Sequence, residues 1–235
     1  LRGYLDMRDT EVKSVVDKMN ILSASFIQEF NGIHRAGFGI DGSSGLDFFS
    51  PLDVTVDHDV DNTGTAVVSM TNASPTTVSV DEFEIAFTSN SQFTLNNLTT
   101  NASSGTFTFA SGSTFNIKNG FAVTISGFAK VGDKVTFSVS DNAASGMSVS
   151  STITANTKKI AAGTTTNGDG ANALLMASLQ NELVFNSVTL SSGSGSYTFD
   201  EYYNAVVSTI GIESFSAQAT LRQQEGIMLQ LNSRR

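Results

Sequence analysis

The chain has 235 residues, enough for one large domain or two small ones with a sizeable core. It carries 13 Lys and Arg against 22 Asp and Glu, a formal net charge of −9, and no basic run, which disfavours binding to nucleic acid or to an anionic membrane surface. Cysteine is absent and no stretch of about 18 apolar residues occurs, which excludes disulfides, thiolate metal sites, cysteine nucleophiles and a membrane-spanning helix.

The first predicted element is a long amphipathic helix that runs from Leu1 to about Ile33. Its apolar residues lie alternately three and four positions apart, which keeps one stripe of the helix facing a partner helix. The stripe consists of Val12, Val15, Met19, Leu22 and Phe26. His34 and Arg35 follow at the helix end, where we expect a cation to complement the exposed carbonyl groups of the last turn. A glycine-rich loop follows from Gly37 to Gly45, without the Lys-Ser/Thr ending of a phosphate-binding loop.

Residues 52–157 are rich in Ser, Thr, Val and Phe, and short apolar alternations are separated by Gly, Asn and Ser clusters. Alternation with a period of two predicts strands. Their close spacing favours an antiparallel β domain over a parallel sheet with crossover helices. The predicted strands are residues 54–60, 66–70, 78–87, 92–95, 106–110, 121–125, 135–139 and 147–153.

Two further helices are predicted after the β segment. The first begins near Asn172 and runs to about Leu183, with Asp169 or Asn172 as its cap. The second is the most regular element of the chain, because apolar and small residues alternate four and three positions apart, as in a coiled-coil seam. This seam consists of Tyr203, Val207, Ile210, Ser214, Ala217, Leu221, Gln224, Met228 and Leu231.

The predicted fold class is α+β: a long-helix, coiled-coil-like bundle domain with an inserted antiparallel β domain. Residues 1–50 plus 158–235 are expected to form the discontinuous helical bundle, and residues 51–157 the inserted domain. We predict that the first and last helices lie antiparallel, with their stripes packed within the chain or against neighbouring subunits. The helix-packing seam is expected to contain Val12, Val15, Met19, Leu22, Phe26, Val207, Ile210, Ala217, Leu221 and Met228.

No catalytic, cofactor-binding or metal-binding site is predicted. Asp57, Asp59 and Asp61 are spaced like the start of a calcium loop, but Asn62 and Val68 stand where an EF-hand needs Gly and Glu. We expect a solvated strand face there, with a weak cation site as the alternative. No Gly-x-Ser-x-Gly motif occurs. These patterns favour a structural or interaction protein over an enzyme.

The alternative function is a secreted surface adhesin or a glycan-binding module, because Ser, Thr and Asn-rich β domains often serve that use. Aromatic side chains exposed in a shallow groove would favour it, and the candidates are Tyr197, Tyr202 and Tyr203. If these tyrosines are buried on helices, this alternative loses its best binding residues.

Several motifs in a fixed order carry a resemblance to a known family. At the start they are Arg8-Asp9, the heptad helix, Phe30-Asn31 with His34, Gly37-Phe38 and Asp47-Phe48-Phe49. Further on they are Ile125-Ser126-Gly127 with Gly132-Asp133, Gly168-Asp169 with Asn172-Ala173-Leu174, and Phe199, Tyr202-Tyr203, Val206-Val207 and Ile210-Gly211. Their order and spacing over almost the whole chain resemble the bacterial flagellar hook-associated protein 1 family, the hook-filament junction proteins.

The resemblance implies an axial, non-enzymatic component of the bacterial flagellum, exported without a cleaved signal peptide and located outside the cell. It implies a ring-like layer of several copies, with the hook protein, a second junction protein, flagellin and further copies of the chain as partners. Family members have segments before and after the matching region. We therefore expect a core fragment that lacks both terminal regions and is monomeric in solution.

Overall fold

The computed structural model describes residues 7–74, 78–166, 169–185 and 197–233. The helices are a π-helical turn over Met7–Val12, α1 Lys13–Ala36, α2 Ala143–Gly146, α3 Ser151–Ala155, α4 Ala171–Ser178 and α5 Phe199–Ser233. A capping box fixes the start of α5: the Glu201 carboxylate accepts hydrogen bonds from the backbone N–H (2.8 Å) and the hydroxyl (3.1 Å) of Thr198. The Thr198 hydroxyl oxygen in turn accepts from the Glu201 N–H at 3.3 Å. None of the described helices is long and apolar enough to cross a membrane.

In the described residues, the strands form two antiparallel sheets. The strands are β1 Thr55–His58, β2 Val67–Asn72, β3 Phe83–Ser89, β4 Gln92–Asn97, β5 Ala102–Thr108, β6 Thr114–Asn116, β7 Phe121–Ser126 and β8 Lys134–Ser138. One sheet has the order β1-β8-β3-β4-β5 and the other β2-β7-β6. Each pairing between these described strands is antiparallel, as the sequence analysis predicts.

The main core lies between the two sheets. On β3 the alternation buries Phe83, Ile85 and Phe87. Phe83 and Phe137 from the larger sheet meet Phe121 from the smaller one, with ring centroids 5.7 and 5.0 Å away. Full burial of a side chain of this size contributes roughly 1.5–3 kcal/mol. The two sheets are therefore held together mainly by phenylalanine packing.

Helix α1 connects this core to α5. Its residues Ile21 and Ala24 are buried in the same apolar cluster as the sheets. Along another face, Phe26 packs edge-to-face on Phe199 at the start of α5, with ring centroids 5.6 Å apart. Glu11, at the opposite end, meets Glu213 further along α5. The two long helices are thus antiparallel neighbours.

The predicted combination of helices with antiparallel sheets is confirmed, but one predicted strand is wrong and one observed strand was not predicted. Residues 147–153 do not form a strand: only Val149 makes a bridge, with Phe49, and α3 begins at Ser151. The Ser150 hydroxyl oxygen accepts a hydrogen bond from the Thr152 N–H and so caps that helix. Strand β6 was not predicted, because three residues are too few to show an alternation.

Candidate functional site: the helix pair

The candidate site is the pair formed by α1 and α5, since all ten predicted seam residues lie on these helices or on the turn before α1. Val12 is 51% exposed, whereas the other four residues of the first stripe, Val15, Met19, Leu22 and Phe26, are half-buried. On α5, Val207, Ile210, Ala217, Leu221 and Met228 are all exposed. The stripe is therefore only partly covered by the described chain.

A groove of about 860 Å³ opens between the two helices, and we call it the helix groove. Its apolar wall contains five of the predicted seam residues together with Val16: Val12, Val15, Ile210, Ala217 and Leu221. The structure does not bring the others into this groove. Leu22 and Phe26 line a second hollow at the start of α5, Met228 lines a third further along α5, and Met19 and Val207 line none of the three.

Two carboxyl groups in the helix groove were not predicted. Glu11 and Glu213 face each other across it. The hydrogen bond with Glu213, and then the repulsion between the two carboxylates, raise the pKa of Glu11 above its ordinary value. Their positions in the sequence could have suggested this placement, because Glu11 directly precedes the stripe residue Val12 and Glu213 directly precedes Ser214.

The fully buried face of α1 also differs from the predicted stripe. It contains Ile21, Ala24 and Ile27. Ile21 and Ala24 belong to the apolar cluster that also holds the sheet core and the buried start of α5. The three-residue steps between these positions were visible in the sequence. Helix α1 therefore has two apolar faces, one complete and one partly covered.

His34 holds the end of α1 and does not act as a surface cation, so that expectation was wrong. Its side chain is fully buried. Nδ1 lies 2.7 Å from the Leu46 carbonyl oxygen, and Nε2 accepts a hydrogen bond from the Ala161 N–H at 2.9 Å. An acceptor Nε2 requires a neutral ring with its proton on Nδ1. The ring thus ties the helix to two separate loops.

Two asparagines complete this attachment, which we call the α1 joint. Asn31 Oδ1 accepts from the N–H groups of Phe48 (3.0 Å) and Phe49 (2.8 Å), and its Nδ2 donates to the Phe49 carbonyl at 3.1 Å. Asn172 Nδ2 donates to the carbonyls of Ala161 (2.6 Å) and Ile33 (3.2 Å). Asn172 is therefore a buried linker, while Asp169, the other predicted cap of α4, accepts from the Ala171 N–H at 3.0 Å.

The three alternating aspartates do not share one strand. Asp57 lies on β1, whereas Asp59 and Asp61 lie beyond its end, where the Asp61 N–H donates to Asp59 Oδ1 at 2.9 Å. In the part of the chain that the structure describes, no group of three acidic, His or Cys side chains is placed to hold a metal ion. The alternation thus marks a strand that ends in a turn.

Asp133 is the carboxylate that organises this end of the β region, and it was not predicted. Its Oδ1 accepts from the Thr63 N–H at 2.9 Å and its Oδ2 from the Lys130 N–H at 2.8 Å. The Gly64 N–H also donates to Oδ2, at 3.1 Å. These backbone donors, the Lys130 N–H above all, lower the pKa of Asp133.

The tyrosines proposed for glycan binding are not gathered in a groove. Tyr202 is fully buried and stacks on Phe185 with ring centroids 4.2 Å apart, and burial raises the pKa of its hydroxyl. Tyr197 is half-buried, and Tyr203 is exposed beside the second hollow on α5. The structure therefore offers no shallow platform formed by the three together.

Comparisons with known proteins point to one kind of molecule. A family model described as the flagellar hook-associated protein FlgK helical domain matches residues 1–49. The flagellar hook-associated protein 1 of Escherichia coli (strain K12) is 27% identical over 234 residues, which cover 99% of this chain and 41% of that protein. The flagellar hook junction protein FlgK from Burkholderia pseudomallei matches in structure with a TM-score of 0.52 at 25% identity, covering 68% of this chain and 28% of that one.

The resemblance to the hook-associated protein 1 family is confirmed by these three matches. The chain nevertheless spans less than half the length of the curated relative and of the solved structure. The matched 49 residues contain the π-helical turn, α1 and the loop that Asn31 holds.

Proposed function

From this similarity, we propose that the chain is a structural, axial component of the bacterial flagellum that helps to join the hook to the filament. The strongest support is the identity of 27% over 99% of the chain to a protein named for its association with the flagellar hook. The names of the relatives describe parts of a flagellum, so we propose no enzymatic activity.

The helix pair carries the proposed mechanism. Residues 1–50 and 158–235 act as a coiled-coil-like bundle domain, and residues 51–157 as an inserted β domain. The partly covered seam on α1 and α5 packs against neighbouring subunits, where each Å² of apolar surface buried contributes about 25 cal/mol. The half-buried and exposed state of the seam residues supports this packing.

The proposed neighbours are the hook protein, a second junction protein, flagellin and further copies of the chain. The proposed location is the flagellum outside the cell. At micromolar concentration the isolated chain is proposed to be monomeric, because one half-covered seam is smaller than the interfaces that hold stable complexes together.

The adhesin alternative has lost support. Its best candidate, Tyr202, is fully buried. The relatives found are named as flagellar proteins. No described feature favours glycan binding over flagellar assembly.

Deleting the gene in the cell that encodes this chain tests the proposed function. We expect flagellin to be lost to the medium while bare hooks remain on the cells, because a missing junction layer leaves the filament nothing to grow on. Flagellin is measured in the medium and on the cells, and hooks by electron microscopy. Normal filaments combined with lost surface attachment would instead support the adhesin alternative.

Complementation of that strain tests the role of the helix groove. Leu221→Glu places a charge on its apolar wall and is expected to reduce swimming, because burying an unpaired carboxylate against a neighbouring subunit is unfavourable. Leu174→Glu is the matched control, since Leu174 is also an exposed helical leucine but lies on α4, outside the helix groove. Equal swimming of both variants would remove the helix groove from the mechanism.

A further inference from the structure

The four edge strands of the two sheets differ in how they are protected. β1 has four residues, carries the exposed Asp57, and lies beside β2, whose Val68 N–H donates to His58 Nε2 at 3.1 Å. The β6 edge has three residues. Strand β5 is longer, with seven residues that are mostly exposed, and among the described strands it pairs only with β4. Among the described strands, it is the edge of the larger sheet opposite β1.

The chemistry of β5 does not discourage pairing. Natural edge strands are usually blunted by charged side chains, proline or a bulge. Residues 85–117 contain no Asp, Glu, Lys, Arg or His and no Pro, although the whole chain has a net charge of −9. β5 and its partner β4 both lie within this stretch, so their own side chains add no like-charge repulsion when a second copy approaches.

A bulge protects only the first half of β5. The register with β4 shifts between Leu95 and Asn96, and Gly105 on β5 has φ +105°. From there the pairing is regular: Thr106 lies opposite Thr94, and Phe107 opposite Phe93, with the two rings stacked 5.4 Å apart. The second half of the edge is thus straight, and Thr and Phe have high β propensity.

We propose that β5 is a self-association site, at which it pairs antiparallel with β5 of a second copy about a two-fold axis through Phe107. In this register Phe107 lies opposite Phe107 of the other copy, and Thr106 opposite its Thr108. Aromatic pairs and Thr–Thr pairs are among the favourable cross-strand combinations. A two-fold contact needs one patch that is complementary to itself, and the Thr-Phe-Thr sequence of residues 106–108 meets that condition.

The pairing is weak, since one short edge buries less than the roughly 1,000 Å² of a stable interface. The chain is then monomeric at micromolar concentration and pairs where its local concentration is high. The inference stands independently of the flagellar proposal, because it uses only the exposure, neutrality and register of β5.

Charge-swapped variants test the pairing. Thr106→Lys/Thr108→Lys places Lys opposite Lys at two positions, and Thr106→Glu/Thr108→Glu does the same with Glu. By sedimentation velocity over a concentration series into the millimolar range, we expect the mass of the unaltered chain to rise towards that of a dimer. Each charged variant alone should stay monomeric, and an equimolar mixture of the two should dimerise at least as well as the unaltered chain.

Thr88→Lys is the control, because it adds a cation to an exposed position on β3, inside the same sheet. It should dimerise like the unaltered chain. The proposal is overturned if the unaltered chain stays monomeric throughout, or if the Lys variant dimerises equally well, which would place self-association elsewhere, such as on α5. A mixture that stays monomeric would overturn it too. Opposite charges would then fail to restore dimerisation, so repulsion between paired β5 strands would not be the reason that each variant alone is monomeric.

Discussion

The β region and the helix pair complete their packing to different degrees. Between the sheets, Phe83, Phe121 and Phe137 are covered on all sides by the chain itself. On α5, only Tyr202 and Val206 are buried, and the remaining apolar stripe is exposed. Stability is therefore concentrated in the sheets and the α1 joint, while the helix groove is available for contacts with other molecules.

Replacing Leu95 by Ala gives the largest expected effect. Leu95 is fully buried on β4, so Leu95→Ala removes apolar contacts and leaves a cavity, which lowers the free energy of unfolding by about 2–5 kcal/mol. Denaturant unfolding followed by circular dichroism measures this. A loss below about 1 kcal/mol would show that the sheets are as loosely packed as the helix pair.

A substitution in the α1 joint is expected to lower the free energy of unfolding nearly as much as a substitution in the sheets. Asn31→Ala leaves the N–H groups of Phe48 and Phe49 without their acceptor and should cost roughly 2–3 kcal/mol of unfolding free energy. Asn204→Ala, at an exposed position on α5, is the control and should change stability by less than about 0.5 kcal/mol. Equal losses of unfolding free energy at the two asparagines would contradict the conclusion that the α1 joint contributes more to stability than the exposed part of α5.

Acid should weaken the β region through Asp133. Its pKa in the folded chain lies below the ordinary 3.8, so its stabilising contribution is complete above that value and is lost as the pH falls through the folded pKa. Asp133→Asn replaces one acceptor oxygen by an amide group and should cost about 1–2 kcal/mol at neutral pH. The difference between the two chains in denaturant midpoint should shrink on acidification, and a constant difference would exclude this carboxylate as the cause.

The smallest effect is expected in the helix groove. Leu221→Ala makes the same chemical change as Leu95→Ala, but Leu221 is 56% exposed, so the unfolding free energy should change by less than about 0.5 kcal/mol. The same denaturant titration measures it. A cost comparable with that of Leu95→Ala would mean that α5 is already fully packed within the chain.

The sequence predicts the regular elements and misses contacts that depend on distant partners. The heptad spacing predicts the last helix from Tyr203 to Leu231, inside the observed α5. Periodicity does not show which residues of a stripe face the partner helix. The predicted seam therefore includes Met19 and Val207, which do not line the helix groove. His34 was misread because its partner Ala161 lies 127 positions away and contributes only a backbone N–H, which leaves no sequence signal.

The α1 joint also implies an order of events during folding. The bonds from Asn31 to Phe48 and Phe49 span 17 and 18 positions and can form as soon as that segment exists. The bonds of His34 to Ala161 and of Asn172 to Ile33 span 127 and 139 positions, across the whole β region. Closing so long a loop costs more chain entropy while the β region is unstructured, so folding of the sheets should come first and bring the ends of the joint together. Docking of the last helix on α1, through Phe26 and Phe199, closes a still longer loop and is expected after the sheets have formed.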